Sequence, residues 1–140
     1  MIQLTGKDDT RFLVRGRVDW KQVEENIEDK STYEGSIFYA LSRMINTRKL
    51  YFAFGRGKIF YLDILNEEDN ACDSVFAFYR TNGCERLLIL QNLSDKEMVI
   101  RTPNSKLYPF EQDLLDHPLM FDEDKGLMIL PAYSYYWILT

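Results

Sequence analysis

Ser74 to Arg101 reads SVFAFYRTNGCERLLILQNLSDKEMVIR, and its two apolar runs, Val75 to Thr81 and Cys84 to Gln91, face each other across Asn82-Gly83. Asn-Gly tolerates positive φ at both central positions of a type I′ turn, so the stretch is predicted to be a tight β-hairpin. Counting outward from a two-residue turn sets Arg80 opposite Glu85, Tyr79 opposite Arg86, Phe78 opposite Leu87, Ala77 opposite Leu88 and Phe76 opposite Ile89. Alternation then gives one face Phe76, Phe78, Leu87 and Ile89, and the other Val75, Ala77, Leu88 and Leu90. Both faces are apolar. Such a ribbon belongs in the middle of a layered structure, with other strands or a helix covering each side.

The strands that could do so follow from the flanking sequence. Tyr51 to Phe54, Lys58 to Leu65 beyond a Gly55-Arg56-Gly57 turn, and Glu97 to Thr102 past the turn Asn92-Leu93-Ser94-Asp95 read as strands, as do Leu107 to Leu115, Pro118 to Phe121, Gly126 to Leu130 and Tyr135 to Leu139. With the hairpin they make about eight short strands, the pattern of an antiparallel Greek-key β-sandwich. Two helices are predicted ahead of them. Asp19 caps a short one bearing Trp20, Val23 and Ile27. Ser31-Thr32-Tyr33-Glu34 is a capping box before a second, whose Ile37, Phe38, Leu41, Met44 and Ile45 recur at helical spacing as far as Arg48-Lys49. A stripe that wide needs an apolar surface to lie on, and the downstream strands are the large one the chain offers. The fold class is thus mainly β, preceded by two helices.

Bulk properties narrow the functional classes. At 140 residues, with 46% hydrophobic and 14% aromatic side chains, the chain can bury a real core as one domain of ordinary size. A net charge of −5 with scattered Lys and Arg argues against nucleic acid as a partner. The absence of an apolar run of about 18 residues and of a signal-peptide h-region predicts no membrane partner and a cytoplasmic location. Cys72 and Cys84 lack CxxC spacing and read as packed thiols.

Each possible catalytic or metal motif has a structural explanation. His117, the single histidine, reads as a surface residue, since it has no cysteine or second histidine beside it to share a metal. Asp122-Glu123-Asp124-Lys125-Gly126 looks like the start of a calcium loop but lacks the later ligands, which leaves a solvated hairpin turn. Gly55-Arg56-Gly57-Lys58 has no Ser or Thr after the Lys to make a phosphate cradle. Glu24-Glu25 with Glu28-Asp29, and Glu67-Glu68-Asp69, are neighbours on exposed faces rather than acids converging on one pocket. Ser74, Ser94 and Ser105 have no candidate base except His117. No catalytic residue, metal site or cofactor is therefore assigned.

The order of features carries a resemblance. A polar Asp9-Thr10-Arg11-Phe12 loop, Arg15 and Arg17 leading to Asp19-Trp20, a helix keeping Gly35, Ile37, Leu41, Ile45 and Arg48, and a β-tail with Asn92-Leu93-Ser94-Asp95, Asp113-Leu114-Leu115, Pro131, Tyr133 and Trp137 together resemble the C-terminal part of glycoside hydrolase family 13, the alpha-amylase superfamily. The amylosucrase and sucrose-hydrolase branch is the most similar, although Ile27 and Lys30 stand where that branch usually has Arg and Pro. The resemblance implies that residues 1–49 are the polar loop and last helices of a (β/α)₈ barrel and residues 50–140 its C-terminal all-β domain. It also implies that the reacting carboxylates lie on earlier strands and that the fragment alone is inactive. Arg11 is then a substrate-pocket residue, pairing with a carboxylate at the bottom of the glucosyl site, a role that suits the planar guanidinium fork. The implied partner is the missing barrel, with self-association through an exposed barrel-facing patch as a consequence. The alternative is a stand-alone carbohydrate-binding β-sandwich, which would need Trp or Tyr side chains lined up on one outer face; the tryptophans are Trp20 and Trp137 alone, and Trp137, within the apolar run Tyr135 to Leu139, reads as part of a buried strand.

Overall fold

The computed structural model describes residues 18–83, 85–102, 110, 112–122 and 124–140. The chain divides into two compact units, Met1–Ser42 and Arg43–Thr140. Helix α1 spans Trp20–Glu28 and opens on Asp19, whose carboxylate accepts from the Gln22 backbone N–H at 3.3 Å, as its sequence predicts. Helix α2 spans Tyr33–Leu50. Its cap is Thr32 rather than Ser31. Thr32 Oγ1 accepts from the Gly35 N–H at 3.0 Å, while Ser31 Oγ donates to Asp29 Oδ1 at 2.7 Å. The helix therefore begins one residue later than the capping-box reading, and Glu34 loses its place as the reciprocal acceptor. Gly35 is needed there: a Cβ would lie 2.0 Å from the Asp29 carbonyl oxygen, so only glycine lets the first turn of α2 close against the chain leaving α1. Along α2 the stripe residues Ile37, Phe38, Leu41 and Ile45 are exposed.

Eight strands are present among the described residues, in two antiparallel sheets. They are β1 (Lys58–Tyr61), β2 (Val75–Thr81), β3 (Arg86–Asn92), β4 (Met98–Arg101), β5 (Gln112–Asp113), β6 (Met120–Asp122), β7 (Leu127–Leu130) and β8 (Tyr135–Leu139). The larger sheet runs β1-β2-β3-β8-β5 and the smaller β4-β7-β6. β8 is thus inserted beside β3, and β7 lies between β4 and β6, the crossed order of a β-sandwich. Tyr51 to Phe54 departs from prediction. Phe52–Arg56 forms a short helix, α3, and the Ala53 N–H in its first turn donates to the Glu85 carboxylate at 2.7 Å. That bond takes Glu85 away from the expected pairing with Arg80.

The hairpin register also differs from the count. Phe78 pairs with Ile89, Ala77 with Leu90 and Tyr79 with Leu88. The ladder continues to Asn82, whose N–H donates to the Glu85 carbonyl at 2.9 Å, and Gly83 holds φ +63°. Asn82 thus stays in the ladder and the turn falls beyond it. Because the slip is two residues, each side chain keeps its predicted face.

Those two faces build two cores. Val75, Ala77, Tyr79, Leu88 and Leu90, joined by Tyr136 and Ile138 of β8, meet Ile100, Met128 and Leu130 of the smaller sheet. On the other side Leu87 and Ile89 pack with Ala53 and Phe54 of α3 and with Leu114, and Phe54 lies 4.5 Å from the Trp137 ring, centroid to centroid. Four consecutive residues, Leu87 to Leu90, are consequently no more than 2% exposed. Burying each contributes about 1.5–3 kcal/mol, which makes β3 the axis of the domain.

Candidate functional site

Arg11, the single binding residue assigned from sequence, lies outside the described residues, as does the whole polar loop around it. The other candidates can be placed. Glu24, Glu25 and Glu28 are exposed along α1, with Lys21 Nζ 3.8 Å from Glu25. Glu67, Glu68 and Asp69 lie on an exposed loop, where Asp69 is ion-paired with Arg101 and the Glu67 carbonyl accepts from the same guanidinium at 3.0 Å. Lys125 N–H donates to Asp122 Oδ1 at 3.1 Å and Gly126 has φ +63°, so the acidic turn is a hairpin connection between β6 and β7. Among the described residues no group of three His, Cys, Asp or Glu is placed to hold a metal ion, and no helix is long and apolar enough to cross a membrane. Cys72 is buried, and burial pushes its thiol above the ordinary 9.0, with help from Asp73. That suits a packed thiol and not a nucleophile.

His117 makes the one acid–imidazole contact. Its Nδ1 lies 3.1 Å from Asp113 Oδ2, and its ring stands edge-on to Tyr135 and Tyr136 at 5.0 and 5.7 Å. The same carboxylate, fully shielded from solvent, accepts the His117 backbone N–H at 2.9 Å and the Trp137 N–H at 2.7 Å. Asp113 is thus spent on fixing the turn after β5 against β8. Asp116 follows at φ +55° and ion-pairs with Arg43 of α2, tying the end of that helix to the same loop.

Asn92 is a second buried polar centre. At 2% exposure, its Nδ2 donates to the carbonyls of Lys96 (2.7 Å), Leu130 (3.1 Å) and Pro131 (2.9 Å), while Oδ1 accepts from Ser94 N–H (3.0 Å) and Ser94 Oγ (2.7 Å). One amide therefore clamps the β3–β4 turn to the β7–β8 connection. Sequence reasoning placed a turn at Asn92 and missed the clamp. Its signal was a polar residue two positions past Leu90, on the buried face that Leu88 and Leu90 mark, where only a saturated amide can be buried.

The aromatic side chains are disposed as packing groups. Trp137 is half-buried against Phe54, and Trp20, on α1, is 69% exposed. Tyr61, Phe76 and Phe78 form an open cluster on the outer face of the larger sheet, with centroids 5.4–6.1 Å apart. Tyr136, buried at the sandwich core, has its hydroxyl pushed above 10.0 by burial.

Residues 75–134 match the sequence family described as Alpha-amylase SusG C-terminal domain. No curated protein matches the chain in sequence. Among solved structures it is similar to a MutB variant in complex with the substrate sucrose (18% identity, TM-score 0.60, 83% of this chain and 19% of that one). It is also similar to the alpha-glucosyl transfer enzyme XgtA (18%, 0.62, 84% and 19%) and to the alpha-amylase from H. orenii (20%, 0.58, 84% and 22%). The chain spans about a fifth of the length of these neighbours. The sequence match covers residues 75–134, and the structural likeness extends the shared fold to most of the chain.

Proposed function

We propose that the chain is the non-catalytic C-terminal part of an enzyme that hydrolyses or transfers α-glucosyl units, with sucrose or maltodextrin as its substrate class, and that these 140 residues alone are inactive. The observation that carries this reading is the lopsided coverage: about 83% of this chain aligns with only 19% of neighbours such as MutB and XgtA. The printed descriptions of those two, a sucrose complex and an alpha-glucosyl transfer enzyme, support an α-glucoside substrate. In this reading residues 1–49 are the end of a (β/α)₈ barrel and residues 50–140 the appended β-domain. The exposed apolar stripe of α2 suits a last barrel helix without its neighbours. The two carboxylates of a retaining mechanism would sit on the absent strands. Arg11, at the functional face of that barrel, would hold a carboxylate of the glucosyl pocket by its planar fork, as in the amylosucrase and sucrose-hydrolase branch.

The test is direct. Purified chain incubated with sucrose, maltooligosaccharides or an aryl α-glucoside should release no more sugar than buffer does. Turnover that survives repurification contradicts the proposal.

A further inference from the structure

We propose that Asn82-Gly83 is a site of self-modification, at which the Gly83 backbone nitrogen attacks the Asn82 side chain and the turn converts to aspartyl and isoaspartyl forms with water as co-reactant.

The surroundings of each asparagine select the site. Imide closure brings the backbone nitrogen of the next residue onto the amide carbon Cγ, so it is quickest where that residue carries no Cβ and neither group is already hydrogen-bonded. Asn82 is the one asparagine in the sequence followed by glycine. Both residues are exposed, and neither the Asn82 amide nor the Gly83 N–H has a hydrogen-bond partner among the described residues. Gly83 holds φ +63°, and nothing lies within 4 Å of the point where a Cβ would stand, so the ring has room to form. The Asn82 N–H, bonded to the Glu85 carbonyl at 2.9 Å, anchors the main chain and leaves the side chain unconstrained.

Asn92 has the opposite arrangement. Its amide is saturated on both sides, and the nitrogen that would attack it, that of Leu93, donates to the Ser74 carbonyl at 2.8 Å. Asn66 Oδ1 accepts from the Glu68 and Asn70 N–H groups, and Asn70 Nδ2 donates to the Glu68 carboxylate. Asn46 lies within α2, where the helical bond pattern engages the following N–H.

The step balances as written. Gly83 N loses its proton to solvent and bonds to Asn82 Cγ, while the Cγ–Nδ2 bond breaks and Nδ2 takes up a proton and leaves as ammonia. Water then opens the five-membered imide. Addition at Cγ gives aspartate; addition at the Asn82 backbone carbonyl carbon gives isoaspartate, whose main chain runs through Cβ and Cγ and is one atom longer. Water is consumed, ammonia is released, and a negative charge appears between β2 and β3. The isoaspartyl form therefore lengthens the connection that pairs β2 with β3.

Trypsin isolates the site as the peptide Thr81–Arg86. The experiment incubates the folded chain in warm, mildly alkaline buffer and follows the mass gain of amide-to-acid conversion peptide by peptide, with a fresh digest as the zero point. A methyltransferase specific for isoaspartyl groups counts the rearranged product. Asn82 should convert at least about tenfold faster than Asn46, Asn66, Asn70 or Asn92, the ratio of a barrier difference of about 1.4 kcal/mol, and should yield both products. Gly83→Ala, whose methyl meets open space but hinders the attacking nitrogen, should slow conversion by about the same factor. The comparison among asparagines of the wild-type chain stays decisive where Gly83→Ala does not fold. Conversion at Asn82 within about threefold of the other sites overturns the proposal. So does a product without an isoaspartyl share, an undiminished rate in folded Gly83→Ala, or conversion confined to a urea-unfolded sample.

Discussion

Exchanging the amide of Asn92 for a carboxylate, Asn92→Asp, changes one atom type at the point where two connections meet. Oδ1 still accepts both Ser94 bonds, but the group facing the Lys96, Leu130 and Pro131 carbonyls becomes an oxygen. Nδ2 has two protons to share among three acceptors, so two full bonds are lost. At about 1–2 kcal/mol for each buried carbonyl left unpaired, the loss is about 2–4 kcal/mol before any charge is counted. An ionised carboxylate pressed against carbonyl oxygens adds to it, for a total near 4 kcal/mol at pH 7, against about 5–15 kcal/mol of total stability for a domain. Urea unfolding followed by Trp137 fluorescence should show a midpoint lowered by roughly 3 M, taking a slope of about 1–1.5 kcal/mol/M. The penalty should also shrink on acidification. The introduced carboxyl is held above its unfolded value of about 3.9, so relative stability is greatest below that value and is lost as pH rises from it through the higher folded pKa. Asn92→Ala should cost a similar amount with no pH dependence. A folded Asn92→Asp protein within about 1 kcal/mol of wild type, or one equally destabilised at pH 4 and pH 7, would refute the claim that the donor side of this amide holds the two turns together.

Asp113→Asn should destabilise by about 1–3 kcal/mol, because an amide cannot accept at both oxygens from the His117 and Trp137 N–H groups; Asp113→Ala, which loses both acceptors, should cost more, and thermal melts check the order. Cys72 and Tyr136 have thiol and hydroxyl groups pushed up by burial, so the unfolded chain loses those protons first and stability should decline above about pH 9. Cys72→Ala should flatten the first part of that decline in urea midpoints between pH 8 and 10. Gly35→Ala should loosen the junction of α1 and α2, since its Cβ meets the Asp29 carbonyl at 2.0 Å, and hydrogen exchange at Gln22 to Glu28 should quicken while the sandwich is unchanged.

The layered architecture was legible because it depends on a two-residue alternation that Phe76, Phe78, Leu87 and Ile89 on one side, and Val75, Ala77, Leu88 and Leu90 on the other, spell out without reference to anything distant. What escaped the sequence depended on remote partners. Tyr51 to Phe54 has the aromatic content of a strand, yet it closes into α3, where a backbone N–H binds Glu85, 32 positions away from Ala53. Asn92 and Asp113 were visible as residues of a resemblance, but their hydrogen bonds run to Leu130, Pro131 and Trp137, which no local pattern connects to them. Arg80 looked paired with Glu85 on the assumption of a two-residue turn at Asn82-Gly83. Once the turn falls beyond Asn82, the acid goes to the helix, and no carboxylate among the described residues pairs with the arginine.

The doubly covered β3 makes the domain sensitive to the parity of its loops. Lengthening the connection between β2 and β3 by two residues returns every Leu and Phe to its own core at the cost of a few ladder bonds. A single inserted residue that slides β3 past its neighbours would send Leu88 and Leu90 toward α3 and Leu87 and Ile89 into the sandwich, with both interiors misfilled at once. Insertions and deletions tolerated in that connection should therefore come in pairs, a rule that a length library selected for soluble expression would read out as an alternating series.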